Sequence, residues 1–513
     1  MSEKRRRLAA VLVVAGVAVV AVTTAYAVAS NGPSSSHTPY VLPSRADVKT
    51  VSILTVGDNA PGADADGPGY QMVGIPDGLG AFAGTGRGRW DDDDDLRGHR
   101  NGRTFTVLMN HEIRQNQGVT RDHGAIGSFV SKLTVDRKTF RVLHGDDLMQ
   151  QVVLAPGGVY GSPQKGVVIG RLCSGDLPDE SALYNKDSRK GYRGQLFLSG
   201  EETGHEGRAF AHALDGTSYE LPYLGKMSWE NALAQPGTGD RTVVIAMDDS
   251  TPGQVYVYIG EKRRDGNPVE RAGLVGGKLY GVAVDGFPAE PETGIPSGTP
   301  FRLIPIENQQ TKTGTAIEAE SLAGPITEFK RPEDGSWNPS RNQDFYWVTT
   351  DRPKVSGGNS RLWRFNFQNL SQEQTGSAGT IDMLLNGTEG QEMMDNMTVD
   401  EHGRVLITED PGNNPIASRI FSYEIDSDTL TELAVQKQAH GPEPNPAYET
   451  YSTLDEEISG IIPADDVLGK GWYLFDSQIH ESVFPSAYDK QKLVEKGQLL
   501  ALYYPVDEGD DDD

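Results

Sequence analysis

Carboxylates recur in this 513-residue sequence at the ends of short apolar runs. Asn110-His111-Glu112 follows the run 105–109, Glu201-Glu202 follows 196–198, and Asp248-Asp249 follows 243–246. Asp351 follows 345–348, Glu409-Asp410 follows 405–407, and Asp476 with His480 follows 472–475. Each acidic stop is succeeded by another apolar or aromatic run, such as Val255-Tyr256-Val257-Tyr258. A single acid at a strand end is ordinarily solvated or caps a turn. A set brought to one place repels itself unless a cation lies within it. Hard oxygen donors suit Ca²⁺, which takes about 6–8 of them.

Other chemistry-bearing residues are fewer. Cys173 is the one cysteine, so no internal disulfide exists; it reads either as a small buried apolar residue or as a thiolate ligand to a softer metal such as iron. His111 reads as a metal ligand, a general acid or a satisfied loop histidine. The run 91–95 is five consecutive aspartates, which cannot all face one ion and reads as a solvated loop. His205 and His212 lack the spacing of a zinc helix, and neither a nucleophile elbow nor a phosphate-binding P-loop occurs.

These residues must be positioned by strands. No long stretch sustains a 3.6-residue apolar period, and 60 Gly and 30 Pro suit many short strands joined by turns. Six copies of a strand, an acidic stop and a second strand, roughly 50 to 100 residues apart, predict an all-β, six-bladed β-propeller with loop insertions. In a propeller the equivalent strand ends of all blades gather at one mouth. Residues 110–112, 201–202, 248–249, 351, 409–410 and 476 are therefore expected to converge.

The N-terminus reads as an export signal over 1–29. A basic stretch at 4–7 precedes the apolar run 8–22 and two A-x-A sites, and a loose twin-arginine pattern allows Tat as well as Sec export. A flexible linker is expected over 30–44, a single propeller domain over 45–506, and an acidic disordered tail over 507–513. The formal net charge of −26 disfavours nucleic acid and anionic lipid as partners. The mature protein is expected to be extracytoplasmic, monomeric and without a stable membrane span.

Beyond the repeat, several motifs in order resemble one family. They are Asn110-His111-Glu112, then Cys173 followed by Glu201-Glu202, then Gly225-Lys226-Met227-Ser228-Trp229-Glu230. The strand and acidic pair at 243–249, Arg331-Pro332-Glu333, Asp395-Asn396 and the segment 459–480 continue the series. Together they resemble the PhoX-type alkaline phosphatases, over roughly residues 45–480. The resemblance implies a secreted, six-bladed propeller that hydrolyses phosphate monoesters with calcium and iron, the cysteine binding iron. It implies metal ligation by Cys173 and some of Glu112, Glu202, Glu230, Glu333 and Asp395. The strand-end acids Glu201, Asp248, Asp249 and Glu409 join them as candidate ligands. His111, Arg331 and Asn396 are candidates for contacting a small phosphorylated substrate, and no catalytic residue is singled out. The rival readings are a calcium-dependent propeller hydrolase of lactonase or phytase-like type, and a non-catalytic, calcium-stabilised binding propeller.

Overall fold

The computed structural model describes residues 28–64, 67–84, 102–368, 370, 376–436 and 453–506. The expected signal, the aspartate run at 91–95 and the acidic tail lie wholly or almost wholly outside them.

The chain folds into consecutive four-stranded antiparallel meanders. The first runs Pro76–Ala83, Thr104–His111, Phe129–Asp136 and Val142–Asp147. The second runs Leu172–Asp176, Leu196–Glu201, Ala209–Ala213 and Thr217–Glu220. The third runs Trp229–Ala234, Arg241–Asp248, Val255–Glu261 and Lys278–Val284. The fourth runs Pro332–Trp337, Asp344–Thr349, Arg361–Phe367 and Gly379–Leu385. The fifth runs Met394–Val399, Arg404–Glu409, Arg419–Glu424 and Thr429–Gln436. The last runs Glu457–Pro463, Trp472–Ile479 and Lys496–Tyr503, and takes its outermost strand, Lys49–Thr55, from the N-terminal end of the described chain.

The innermost strands pack against one another in a closed cycle, Glu457–Pro463 returning to Pro76–Ala83. This is a mostly β, propeller-like arrangement. It departs from six separate sheets, because Thr299–Ile306 pairs with both Lys278–Val284 and Gly379–Leu385. The third and fourth meanders thereby join at their outer edges into one nine-stranded sheet.

The apolar runs are continuous because each second strand is buried on both faces. Val107 packs toward the last meander, while its neighbour Leu108 packs toward the second. Trp347 and Val348 likewise face the third and fifth meanders. Side chains alternate across a strand, so neighbouring residues serve the two flanking cores.

The flexible linker expected over 30–44 is corrected. Val28–Asn31 pairs parallel with Lys49–Thr55, and Val41–Pro43 pairs antiparallel with Thr429–Gln436. Tyr40, Val41 and Val48 are buried, so apolar burial holds a Ser- and Pro-rich segment in place.

Candidate metal centre

All six innermost strands carry the same irregularity near their start. Between Pro76 and Leu79, Leu172 and Gly175, Trp229 and Ala232, Pro332 and Gly335, Met394 and Met397, and Ser459 and Ile462, two residues face one on the partner strand. Such a bulge bends the strand and re-aims its side chains. The first bulged position holds Asp77, Cys173, Glu230, Glu333 and Asp395 in five strands, and Gly460 in the sixth.

A second tier comes from the ends of the neighbouring strands, where Glu112, Glu202, Asp249 and Asp410 follow immediately. The two tiers interlock. Asp77, Glu112 and Cys173 bring ligand atoms within 4.8 Å of one another, as do Cys173, Glu202 and Glu230. So do Glu230, Glu333 and Asp395, and finally Asp395, Asp410 and Glu457. Cys173, Glu230 and Asp395 are each shared between two groups, so the groups form a continuous arc.

The arc suits bound cations. Burial, followed by repulsion between neighbouring acids, holds Asp77, Glu230 and Asp395 well above the usual carboxylate range. Asp410 is pushed up to about 7 by burial and Glu457. Burial, Asp77 and Glu230 push the Cys173 thiol up as well. Asp395 Oδ1 is buried without a hydrogen-bond partner. Buried carboxylates at this density stay protonated or take a cation. Oxygen donors fit Ca²⁺, and the thiol adds a donor suited to iron.

Two guanidinium groups reach into the arc. Arg171 Nε donates to Glu112 Oε1 at 2.6 Å, and its Nη2 lies 2.6 Å from Glu202 Oε2. Burial alone would raise the Glu112 carboxyl, but the charge and hydrogen bond of Arg171 hold it below its usual value. Arg331 grips Asp249 at 2.9 and 3.0 Å, and its Nη2 lies 2.9 Å from Glu333. Arg331 holds this position with φ of +59°, a left-handed backbone that costs energy in any residue with a Cβ.

Neutral side chains orient the ligands. Gln478 donates to Asp77 at 3.0 Å and to Glu112 at 3.1 Å. Thr350 donates to Glu333 at 2.8 Å or to the Met394 carbonyl at 2.5 Å, and Ser174 donates to Glu230. Asn110 clamps the Cys173 and Ser174 carbonyls at 2.7 and 3.1 Å.

Several expected site residues lie elsewhere, and strand alternation is the reason. Glu201 and Glu202 point to opposite sides, and so do Glu409 and Asp410. Glu201 accepts two bonds from Arg208, at 2.6 and 2.8 Å, and one from the Gly170 N–H. Glu409 is held by Arg419 at 2.8 Å twice and by the Glu392 N–H. Asp248 accepts from the Ser228 N–H and the Ser250 hydroxyl. None of the three joins a ligand group among the described residues.

His111 is fully buried, stacked on Phe129 with ring centroids 4.2 Å apart, and engages Ser131 and the Gly74 carbonyl. Burial drives its pKa down to about 3, so it is a neutral core histidine rather than a substrate contact. Asn396 is also buried, below the arc. Asp351 sits apart with Lys330 and Arg352, and Asp476 is buried outside the ligand groups. Asp77, Glu457 and Arg171 are not among the sequence candidates for the site, and of the Glu409-Asp410 pair expected at the mouth it is Asp410, not the candidate ligand Glu409, that joins a ligand group. Asp77 stands alone in Pro-Asp-Gly, which reads as a turn, and Glu457 lies on the last innermost strand, which the repeat does not register.

A propeller whose mouth is lined by interlocked carboxylates and one thiol defines a metal-binding class of site. The family model for alkaline phosphatase PhoX matches residues 211–424, a span that holds Glu230, Arg331, Glu333, Asp395 and Asp410. The resemblance drawn from the motifs is thus met by an independent match. Among solved structures, Pseudomonas fluorescens PhoX in complex with vanadate, a transition state analogue, superposes with a TM-score of 0.59 at 13% identity. That match covers 89% of this chain and 95% of the other, and it shows a shared fold. A putative 6-phosphogluconolactonase from Bacteroides uniformis gives a TM-score of 0.35 at 9% identity, covering 79% of this chain and 80% of its own. The calcium-binding protein regucalcin from Agrobacterium tumefaciens gives 0.29 at 12%, covering 78% and 90%. No curated protein matches the chain.

Proposed function

We propose that this chain is a metal-dependent phosphatase that hydrolyses phosphate monoesters, built as a six-bladed propeller and exported from the cytoplasm. The observation that carries the reading is the arc of ligand groups sharing Cys173, Glu230 and Asp395, beside a match to the PhoX family. Six meanders, each with a bulge near the start of its innermost strand, support the blade count. The joined third and fourth blades are then two blades bridged by an inserted strand. No helix among the described residues is long and apolar enough to cross a membrane.

Asp77, Glu112, Cys173, Glu202, Glu230, Glu333, Asp395, Asp410 and Glu457 would hold the ions, calcium among the carboxylates and iron at the thiol. Ions held by these residues would supply charge to neutralise phosphoryl oxygens and would lower the pKa of a water to make it a nucleophile. The protein's own part is positional. Gln478, Thr350 and Ser174 fix the carboxylate rotamers, so little reorganisation accompanies the reaction. Arg331, one-quarter exposed, offers N–H donors to a phosphoryl oxygen from the rim. The strongly acidic chain favours a small phosphorylated substrate over nucleic acid, and a monomer suffices, since every proposed ligand comes from one chain.

The test is hydrolysis of a generic phosphomonoester by purified protein whose metal content has been measured. Turnover that depends on bound metal supports the reading, and a metal-loaded protein that hydrolyses only lactones or carboxylic esters opposes it.

A further inference from the structure

We infer that Arg171 is a second phosphate-binding arm of this site, taking a phosphoryl oxygen of the substrate from the side opposite Arg331. The inference rests on the phosphatase reading above. Arg171 and Arg331 hold the same place in two meanders, one residue before Leu172 and Pro332, which open the bulges. The corresponding residues of the other innermost strands are Ile75, Ser228, Met393 and Ile458, none of them cationic. The two arginines therefore flank the intervening strand, which carries Glu230, a member of two ligand groups.

Their exposure sets them apart from the acids around them. The Arg171 side chain is 35% exposed and that of Arg331 24%, whereas Glu112 and Glu333 are 6% and 2%. The guanidinium groups thus border the opening above a buried carboxylate floor. A phosphate monoester arriving there brings about two negative charges toward many more. Opposed cationic forks on the rim offset that repulsion, and each fork matches two phosphoryl oxygens.

The partners of Arg171 allow it to serve this role. Glu112 and Glu202, which it bridges, belong to two different ligand groups. Carboxylate oxygens drawn toward cations release guanidinium N–H groups, and arginine has five to offer. The competing role is a purely structural bridge that keeps Glu112 and Glu202 in place.

The experiment is calorimetric titration of inorganic phosphate into metal-loaded wild type, Arg171→Lys and Arg171→Met. Metal per chain and melting temperature are measured on the same samples, with KM and kcat for a phosphomonoester. The expected result is phosphate affinity about tenfold weaker in Arg171→Lys and weaker still in Arg171→Met, at unchanged metal content, with KM rising in step. Unchanged phosphate affinity in both variants overturns the assignment and leaves the phosphatase reading standing. Metal loss that tracks the loss of affinity overturns it in favour of the structural bridge. A wild-type protein that carries metal but neither binds phosphate nor turns over phosphomonoester overturns the phosphatase reading, and this inference with it.

Discussion

The Asn396 amide donates to the Ser174 hydroxyl at 2.6 Å, although the two residues lie 222 positions apart in the chain. They occupy the second bulged position of the fifth and second innermost strands, across the axis from each other. Asn396 Oδ1 in turn accepts from the Gly460 N–H at 3.1 Å, and Ser174 donates to Glu230. Asn231 donates to Asp334 at 2.7 Å in the same tier. A polar floor therefore ties distant meanders together beneath the metal-competent arc.

Asn396→Ala should cost about 1–3 kcal/mol of stability, because it leaves the buried Gly460 N–H without its acceptor. Denaturant unfolding measures the loss. A variant as stable as wild type would show that the floor does not hold the axis together.

Adjacent acids should behave differently. Glu202→Ala is expected to lower metal per chain. Glu201→Ala should leave metal content near wild type but destabilise by about 3–5 kcal/mol, since it strands Arg208 in a largely buried pair. Elemental analysis and chemical denaturation of both variants separate the two roles. Equal metal loss from both would refute the division that strand alternation imposes.

Cys173→Ser should preserve the fold, because serine is nearly isosteric, yet reduce binding of a soft or borderline metal. The expected outcome is less iron per chain and slower phosphomonoester turnover, with an unchanged circular dichroism spectrum. Wild-type protein that is active and free of iron would remove the thiolate role.

The metal-free protein should lose stability as pH rises. Burial pushes Asp176, Asp334 and Asp410 up to about 7 and Asp248 to about 8. Groups whose folded pKa exceeds the unfolded value, near 4, contribute stability that is complete below about pH 4 and vanishes as pH climbs through 7 to 8. Chelated protein should therefore melt lower at pH 8 than at pH 5. Restored metal should raise the melting temperature at pH 8 through Asp410, the proposed ligand among these four, since cations prefer deprotonated ligands and stabilise the native state. A melting temperature indifferent to chelator at pH 8 would count against the arc as a metal site.

Much of the architecture is legible in the sequence. The second strand of every meander coincides with an apolar run, because both of its faces are buried and the pattern is nearly unbroken. The innermost strands are harder to see. Pro76-Asp77-Gly78 and Leu172-Cys173-Ser174-Gly175 look like turns, since the bulge that aims Asp77 and Cys173 inward uses small and polar residues. The acidic pairs point to the mouth, but a pair does not say which member faces it. Register decides that, turning Glu202 and Asp410 inward and Glu201 and Glu409 toward Arg208 and Arg419. His111 was legible as a histidine beside a ligand, whereas its burial against Phe129 depends on packing from distant sequence.

The arc around Cys173, Glu230 and Asp395 is proposed to bind metal and to hydrolyse phosphate monoesters. The most direct measurement is the rate of p-nitrophenyl phosphate hydrolysis by purified protein as isolated, after exhaustive chelation, and after metal is returned. Hydrolysis should disappear with the metal and recover on its return, and vanadate should inhibit it. A fully metal-loaded, folded protein with no hydrolysis, or a rate untouched by complete metal removal, would contradict it.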